Sequence, residues 1–255
     1  MNDDFTSVGR CRRLRLYNLG MGALHLAQGV AILALSNDFA LPVHGTFMEG
    51  PPGAQPARLH HLFDLPIGPA VASFVLVSAA AHAILVLPSV FGWYCRNLAR
   101  RRNDARWIEY SVSASIMIVL IAMLTGIGDI AALIAIFGVN ASMILFGLVQ
   151  EHTELPGEGH LLPFWLGCIA GAVPWIAIGI YLISPGIEAS PPGFVYGIFV
   201  SLFIFFNVFA LNMWLQYRRI GPWRNYLFGE SIYILLSLTA KSALAWQVFF
   251  PTLMG

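Results

Sequence analysis

Seven stretches of the chain stay apolar for about 18 residues or more, the length that crosses a bilayer as a helix. They run over roughly 15–35, 66–94, 105–126, 128–149, 161–183, 192–217 and 225–250. Short connections join them, so the pattern predicts an all-α, seven-helix membrane bundle that occupies residues 1–255 as one domain. The connection over 37–65 breaks the helical pattern. There Phe39–Val43 and Thr46–Met48 predict a short β-hairpin on the outer surface. His44, His60, His61 and Asp64 share that loop, but two adjacent histidines beside one aspartate make poor ligand geometry, and they read as solvated.

Composition sharpens this reading. Mean hydropathy of +0.72 and 11% charged residues exclude an ordinary soluble domain, where about 25% are charged. A net charge of +1 argues against nucleic acid as a partner. The three cysteines lack metal or redox spacing, and no catalytic or metal-binding constellation is expected. Met1–Asp4 lacks the basic region of a signal peptide, so the first apolar run is expected to remain as a helix. Arginines set the direction. Arg10, Arg12, Arg13, Arg15, Arg96, Arg100, Arg101, Arg102, Arg106, Arg218, Arg219 and Arg224 lie on the side of the amino terminus, and only Arg58 lies on the other. The positive-inside rule places the amino terminus in the cytoplasm and the carboxyl terminus outside, in a multi-pass plasma-membrane protein.

Against this background Lys241 stands out. It is the single lysine and sits within the apolar run 225–250, 17 residues after Arg224 and 10 before Pro251. An ammonium at the bilayer centre costs about 2.5–3.5 kcal/mol on insertion scales, which marks such a residue as functional. At about 1.5 Å rise per residue its stem is too deep to snorkel to either surface. Two chemistries stay open for it: a Schiff base with a carbonyl compound, or an ion relay.

Depth brings other polar groups to the same level. His25 lies about 15 Å into the first helix, and His82 lies about 18 Å before Tyr94 at the end of the second. Glu109 reaches that level if the third helix starts near 97, with the arginine run as its first turn and Arg106 already inside the bundle, giving a span of about 97–126. The Lys241 side chain points back toward the amino end of its helix, so the four groups can meet. A protonated Schiff base in low dielectric needs an anion, and Glu109 is the best placed. Asp129 falls at the outer turn after the third helix, and Glu230, about 16 Å nearer the cytoplasm than Lys241, reads as a mouth or gate residue. Glu151, His152, Glu154, Glu158 and His160 form an acidic loop between the fourth and fifth helices, solvated or available to a cytoplasmic partner. Gly167/Gly171 and Gly193/Gly197 permit close helix approach.

Arg106-Trp-Ile-Glu109, with Lys241 on the last helix, is similar to the arginine-aromatic-x-acid and Schiff-base lysine pattern of microbial rhodopsins. The inverted orientation narrows the likeness, and the chain resembles the heliorhodopsins. Family-like stretches run from Trp107 to Ser111, Ile134 to Gly147, Leu162 to Trp165, Pro192 to Gly197 and Leu236 to Gln247. The resemblance implies all-trans retinal bound covalently to Lys241, Glu109 as counterion, and His25 and His82 in a hydrated cavity on the cytoplasmic side. Ser113 and Ser237 would complete that polar cluster. Tyr110, Asn140, Met143, Phe206, Phe209 and Met213 would line the retinal pocket, the last three sharing one helix face. Light-driven pumps of the rhodopsin type carry a second carboxylate four residues before the lysine, where this chain has Ser237. They also carry a polar or acidic residue eleven positions after the first counterion, where it has Leu120.

The expected function is therefore light sensing by photoisomerisation of retinal, with reversible proton movement and no net pumping. Light-gated passive conductance, light-dependent regulation of a cytoplasmic enzyme and a non-photochemical transporter are the alternatives. A homodimer, through the outer loop, is expected by family likeness.

Overall fold

The computed structural model describes residues 8–51, 53, 58–183 and 191–254, except for the side chains of 8–11 and 252–254. The acidic start of the chain, Pro52 and Pro56 lie outside the described residues. Eight α-helices, a two-stranded sheet and one 3-10 turn make up the described part: α1 Val8–Leu35, β1 Ala40–Thr46, β2 Leu59–Pro66, α2 Ile67–Leu85, α3 Pro88–Ala99, α4 Asp104–Leu124, α5 Ile130–Thr153, α6 Leu162–Ile183, α7 Gly193–Tyr217, the turn Gly221–Arg224, and α8 Tyr226–Met254. All the helices except α3 are long and apolar enough to cross a membrane, which makes seven spans.

The expected second helix is two elements. Pro88 lacks the amide that would continue α2 and instead starts α3, while Leu87 before it is held extended. The Arg15 guanidinium of α1 donates to the exposed carbonyl of Val86 at 3.0 and 2.7 Å, closing the end of α2 with a cation. Helix α3 is amphipathic: Tyr94 and Leu98 pack with Leu85 and Tyr226, while Arg96 stays exposed. The arginine run is also displaced from its expected place. Arg100–Arg102 form the turn before α4, and Arg101 adopts a left-handed backbone, φ 58°. Asn103 then caps α4, its side chain accepting from the Arg106 amide at 3.2 Å. Arg106 is buried, as the sequence suggests.

The hairpin forms with a partner other than the expected one. β1 pairs antiparallel with β2 across a longer loop, Ala40 opposite Pro66, with an irregularity between Val43 and His44. Thr46–Met48 supplies only the last residue of β1 rather than a second strand. The sheet covers the turn between α4 and α5: the His44 amide donates to the Gly128 carbonyl at 3.0 Å, and Asp129 caps α5 through the Ala132 amide. His60 bonds Glu49 and His61 bonds Asp64, each at 2.9 Å. No three metal-binding side chains come together among the described residues.

Packing divides the bundle by depth. Next to the sheet, Ile32, Ile67, Val71, Phe74, Ile118, Ile121, Leu244 and Val248 form the main apolar core. The half nearer the arginine-rich end holds the buried charged groups. Gly167 and Gly171 let α6 approach Met143 of α5, so that pair serves bundle packing, while Gly193 and Gly197 face open space. Gly147 of α5 is tighter still: a Cβ there would fall 2.4 Å from the Trp107 ring of α4. Gly147→Ala is expected to lose about 1–3 kcal/mol by overpacking against that rigid ring. Gly138→Ala, with nothing within 4 Å, should cost nothing. Thermal unfolding of the two variants side by side checks this.

Candidate functional site

Lys241 and Glu109 meet. Lys241 Nζ donates to Glu109 Oε1 at 2.8 Å and to Ser237 Oγ, one turn earlier on α8, at 2.9 Å. The lysine is 3% exposed, too little for water to substitute for these partners. Ser78 of α2 donates to the same Glu109 oxygen at 2.6 Å. Ser113, fully buried, follows Glu109 by one turn on α4. The Tyr110 ring lies 5.0 Å below the ammonium, and its hydroxyl donates to the Tyr233 carbonyl. Three helices thus hold one charge pair, each supplying an oxygen or a ring.

Beside Lys241 a cavity of about 850 Å³, part of it opening outward, runs between α4, α5, α6 and α7. Trp107, Tyr110, Met143, Phe206, Phe209 and Met213 line it, and Ser113, Ser237 and Lys241 stand at its polar end. Asn140 departs from expectation. It is buried but turned away, its amide donating to Ser115 Oγ at 3.1 Å. Sequence reasoning also overlooked Trp107 and Tyr233 as walls, because one neighbours an arginine and the other lies two turns before the lysine.

A second, polar cavity lies on the other side of the charge pair, lined by Ser78, His82, Glu109, Ser237, Asn18, Asn103 and Arg106 among others. His25 is buried and stacks on His82, ring centroids 5.8 Å apart. His82 Nδ1 lies 2.9 Å from Asn18 Oδ1. The break after Leu85 means that His82 sits three residues from the end of α2, rather than deep in a helix that continues to Tyr94. Ser78 and Asn18 were legible in principle, since they precede His82 and His25 by four and seven residues on the same helix faces.

Beyond this cavity sits a second set of buried charges. Arg106 forms ion pairs with Glu151 of α5 and Glu230 of α8, all three nearly inaccessible. Its guanidinium lies against the Trp107 and Tyr233 rings, 4.4 and 3.9 Å from their centroids, in the corner that these two edge-packed rings make. Asn103 joins both acids, its amide donating to Glu151 at 2.8 Å and its side chain to Glu230 at 2.7 Å. Two expectations are corrected here. Glu230 is not a residue of an open mouth, because it is 1% exposed and closed off by Arg106. Glu151 belongs to no solvated loop, because α5 continues to Thr153 and turns this side chain inward. The signal was the buried stripe Asn140, Ile144, Gly147 and Glu151, spaced at three and four.

The heliorhodopsin family model matches residues 14–253. The chain belongs to the heliorhodopsin family. Comparison with the curated proteins gives no match. Membership of this family implies a retinal chromophore, and with seven apolar helices it marks a multi-pass membrane protein of the photoreceptor type rather than a conventional enzyme. The residues present suit that group: one buried amine opens onto a ring-lined apolar cavity, with a carboxylate in contact with it.

Removing the Arg106 cation strands two buried carboxyl groups. Arg106→Met is expected to cost about 3–5 kcal/mol, measured as a lower unfolding midpoint, whereas Arg96→Met on exposed α3 should change it little.

Proposed function

We propose that this heliorhodopsin is a light sensor, with all-trans retinal joined through a protonated imine to Lys241 and Glu109 as its counterion. The observation that carries the reading is the Lys241–Glu109 contact at the end of an apolar cavity. Retinal, when bound, supplies light-driven isomerisation about a double bond. Tyr110, Met143, Phe206, Phe209 and Met213 confine it sterically, and Asn140 supports α5 from behind through Ser115. Glu109 and Ser237 hold the proton of Lys241 Nζ at rest. When that proton loses its alignment with Glu109, the polar groups of the second cavity, with His25 and His82 at its edge, receive it. Its return by the same route leaves no net transport.

Two features support sensing over pumping. One carboxylate faces Lys241, with Ser237 at the position where a second would stand. On the sheet side, the route out is filled by Leu244, Ala245 and Val248 packed against Ile118, Ile121 and Ala122. The amino terminus faces the cytoplasm in this reading, on the arginine count, and residues 1–255 act as one retinal-binding domain in the plasma membrane. A homodimer through the sheet is supported by Phe47, Met48, Leu62 and Phe63, which expose apolar surface there. Displacement of the Lys241 charge biases the cytoplasmic helix ends, which is the signal offered to a partner.

Protein expressed with all-trans retinal should absorb in the visible and bleach with hydroxylamine, and Lys241→Ala should remain colourless. A coloured Lys241→Ala protein with covalently attached chromophore overturns the reading. Glu109→Gln should move the band to the red or to the near-ultraviolet, and an unchanged spectrum would reassign the counterion. Illuminated vesicles should show no sustained, protonophore-sensitive pH change.

A further inference from the structure

We propose that Glu151 and Glu230 form a second buried protonation site, their two carboxyl groups sharing one proton against the single guanidinium of Arg106. The argument is a charge count in a dry place. Both acids contact the same cation, and the side chains of all three are at most 4% exposed. With both acids ionised, the cluster would carry a net negative charge where an uncompensated charge is strongly disfavoured. A proton on one of them removes it. This differs from Lys241 and Glu109, where one acid faces one base.

Among the described residues no other cation forms an ion pair with the two acids. The titratable groups facing them are Tyr94 from α3, Arg106 and Tyr110 from α4, Tyr217 from α7, and Tyr226 and Tyr233 from α8. Phenols are neutral near pH 7 and donate without adding charge. Neither acid has its oxygens saturated. Glu230 accepts from Arg106 and from the Asn103 amide group, and Glu151 accepts from Arg106, the Asn103 backbone and, at 3.3 Å, the Tyr226 hydroxyl. The Trp107 Nε1–H is buried near Glu151 and closes no hydrogen bond. Asn103 links the two acids through different groups of one residue, its backbone N–H on Glu151 and its side-chain amide on Glu230.

The site connects to the rest of the molecule. The polar cavity that starts at Glu109 and Ser78 ends on Asn103 and Arg106, the hydrogen-bond partners of the pair. The shared proton is therefore in reach of the cavity that borders Glu109, the partner of Lys241. The inference rests on the chain's own charges and goes beyond the reading of Lys241, so either can fail alone.

Infrared spectroscopy of the purified full-length pigment, in a detergent free of ester carbonyls, tests it. Unlabelled protein should show the carbonyl stretch of a buried protonated carboxyl group, shifted by 13C-glutamate labelling. The band should persist in Glu109→Gln and vanish in Glu151→Gln and in Glu230→Gln, the far-ultraviolet circular dichroism of each sample showing that it is folded. Labelled wild-type protein with no glutamic-acid band overturns the proposal even if neither variant folds. So does a band that survives both single variants, or one that vanishes in Glu109→Gln. That last result would also remove Glu109 as an ionised counterion, whereas the first two leave the Lys241 reading intact.

Discussion

An ammonium and a carboxylate 2.8 Å apart, with almost no access to water, are the constraint to which the bundle is built. Neither group can be buried alone, because an unpaired ion in apolar surroundings costs far more than any single packing contact returns. The pair therefore dictates that α4 and α8 meet at this depth and that α2 brings Ser78 to the carboxylate oxygen that Lys241 contacts. It also leaves one face of the lysine open to an apolar cavity, and that combination makes the amine available for imine chemistry instead of locking it into a closed network.

The same rule operates a second time, one level nearer the arginine-rich end. Arg106, Glu151 and Glu230 come from three helices and converge through Asn103, which caps α4 while holding both acids. Trp107 and Tyr233 pack edge to face against each other beside the guanidinium and line the apolar cavity as well. A change in the shape of that cavity is thus felt directly by the rings that clamp the cation. At the other end the sheet and the aliphatic core form a dry plug. The molecule has a polar half facing its arginines and an apolar half facing its sheet.

Several features were legible because each depends on local pattern. Seven spans follow from run length, and the singular position of Lys241 follows from its being the only lysine, set in an apolar run. Glu109 was legible as the nearest acid at the right depth. The break before Pro88 was masked by hydrophobicity that continues from α2 into α3, although proline chemistry announced it. The hairpin partner was missed because strand pairing depends on contacts across a loop, where Leu59–Pro66 competes with nearer residues.

Glu151 and Glu230 show where local reading stops. Along the chain both stand beside polar residues at the ends of apolar runs, the usual setting of a solvated side chain. Whether such a carboxylate faces water or a guanidinium depends on how α5 and α8 are rotated against α4, and that is settled only when three helices pack at once. The sequence by itself determined which charges lie within the membrane-spanning runs, since hydropathy and length act within a single segment. Tertiary structure decided which of those charges touch, because pairing belongs to the space between segments and no single segment encodes it.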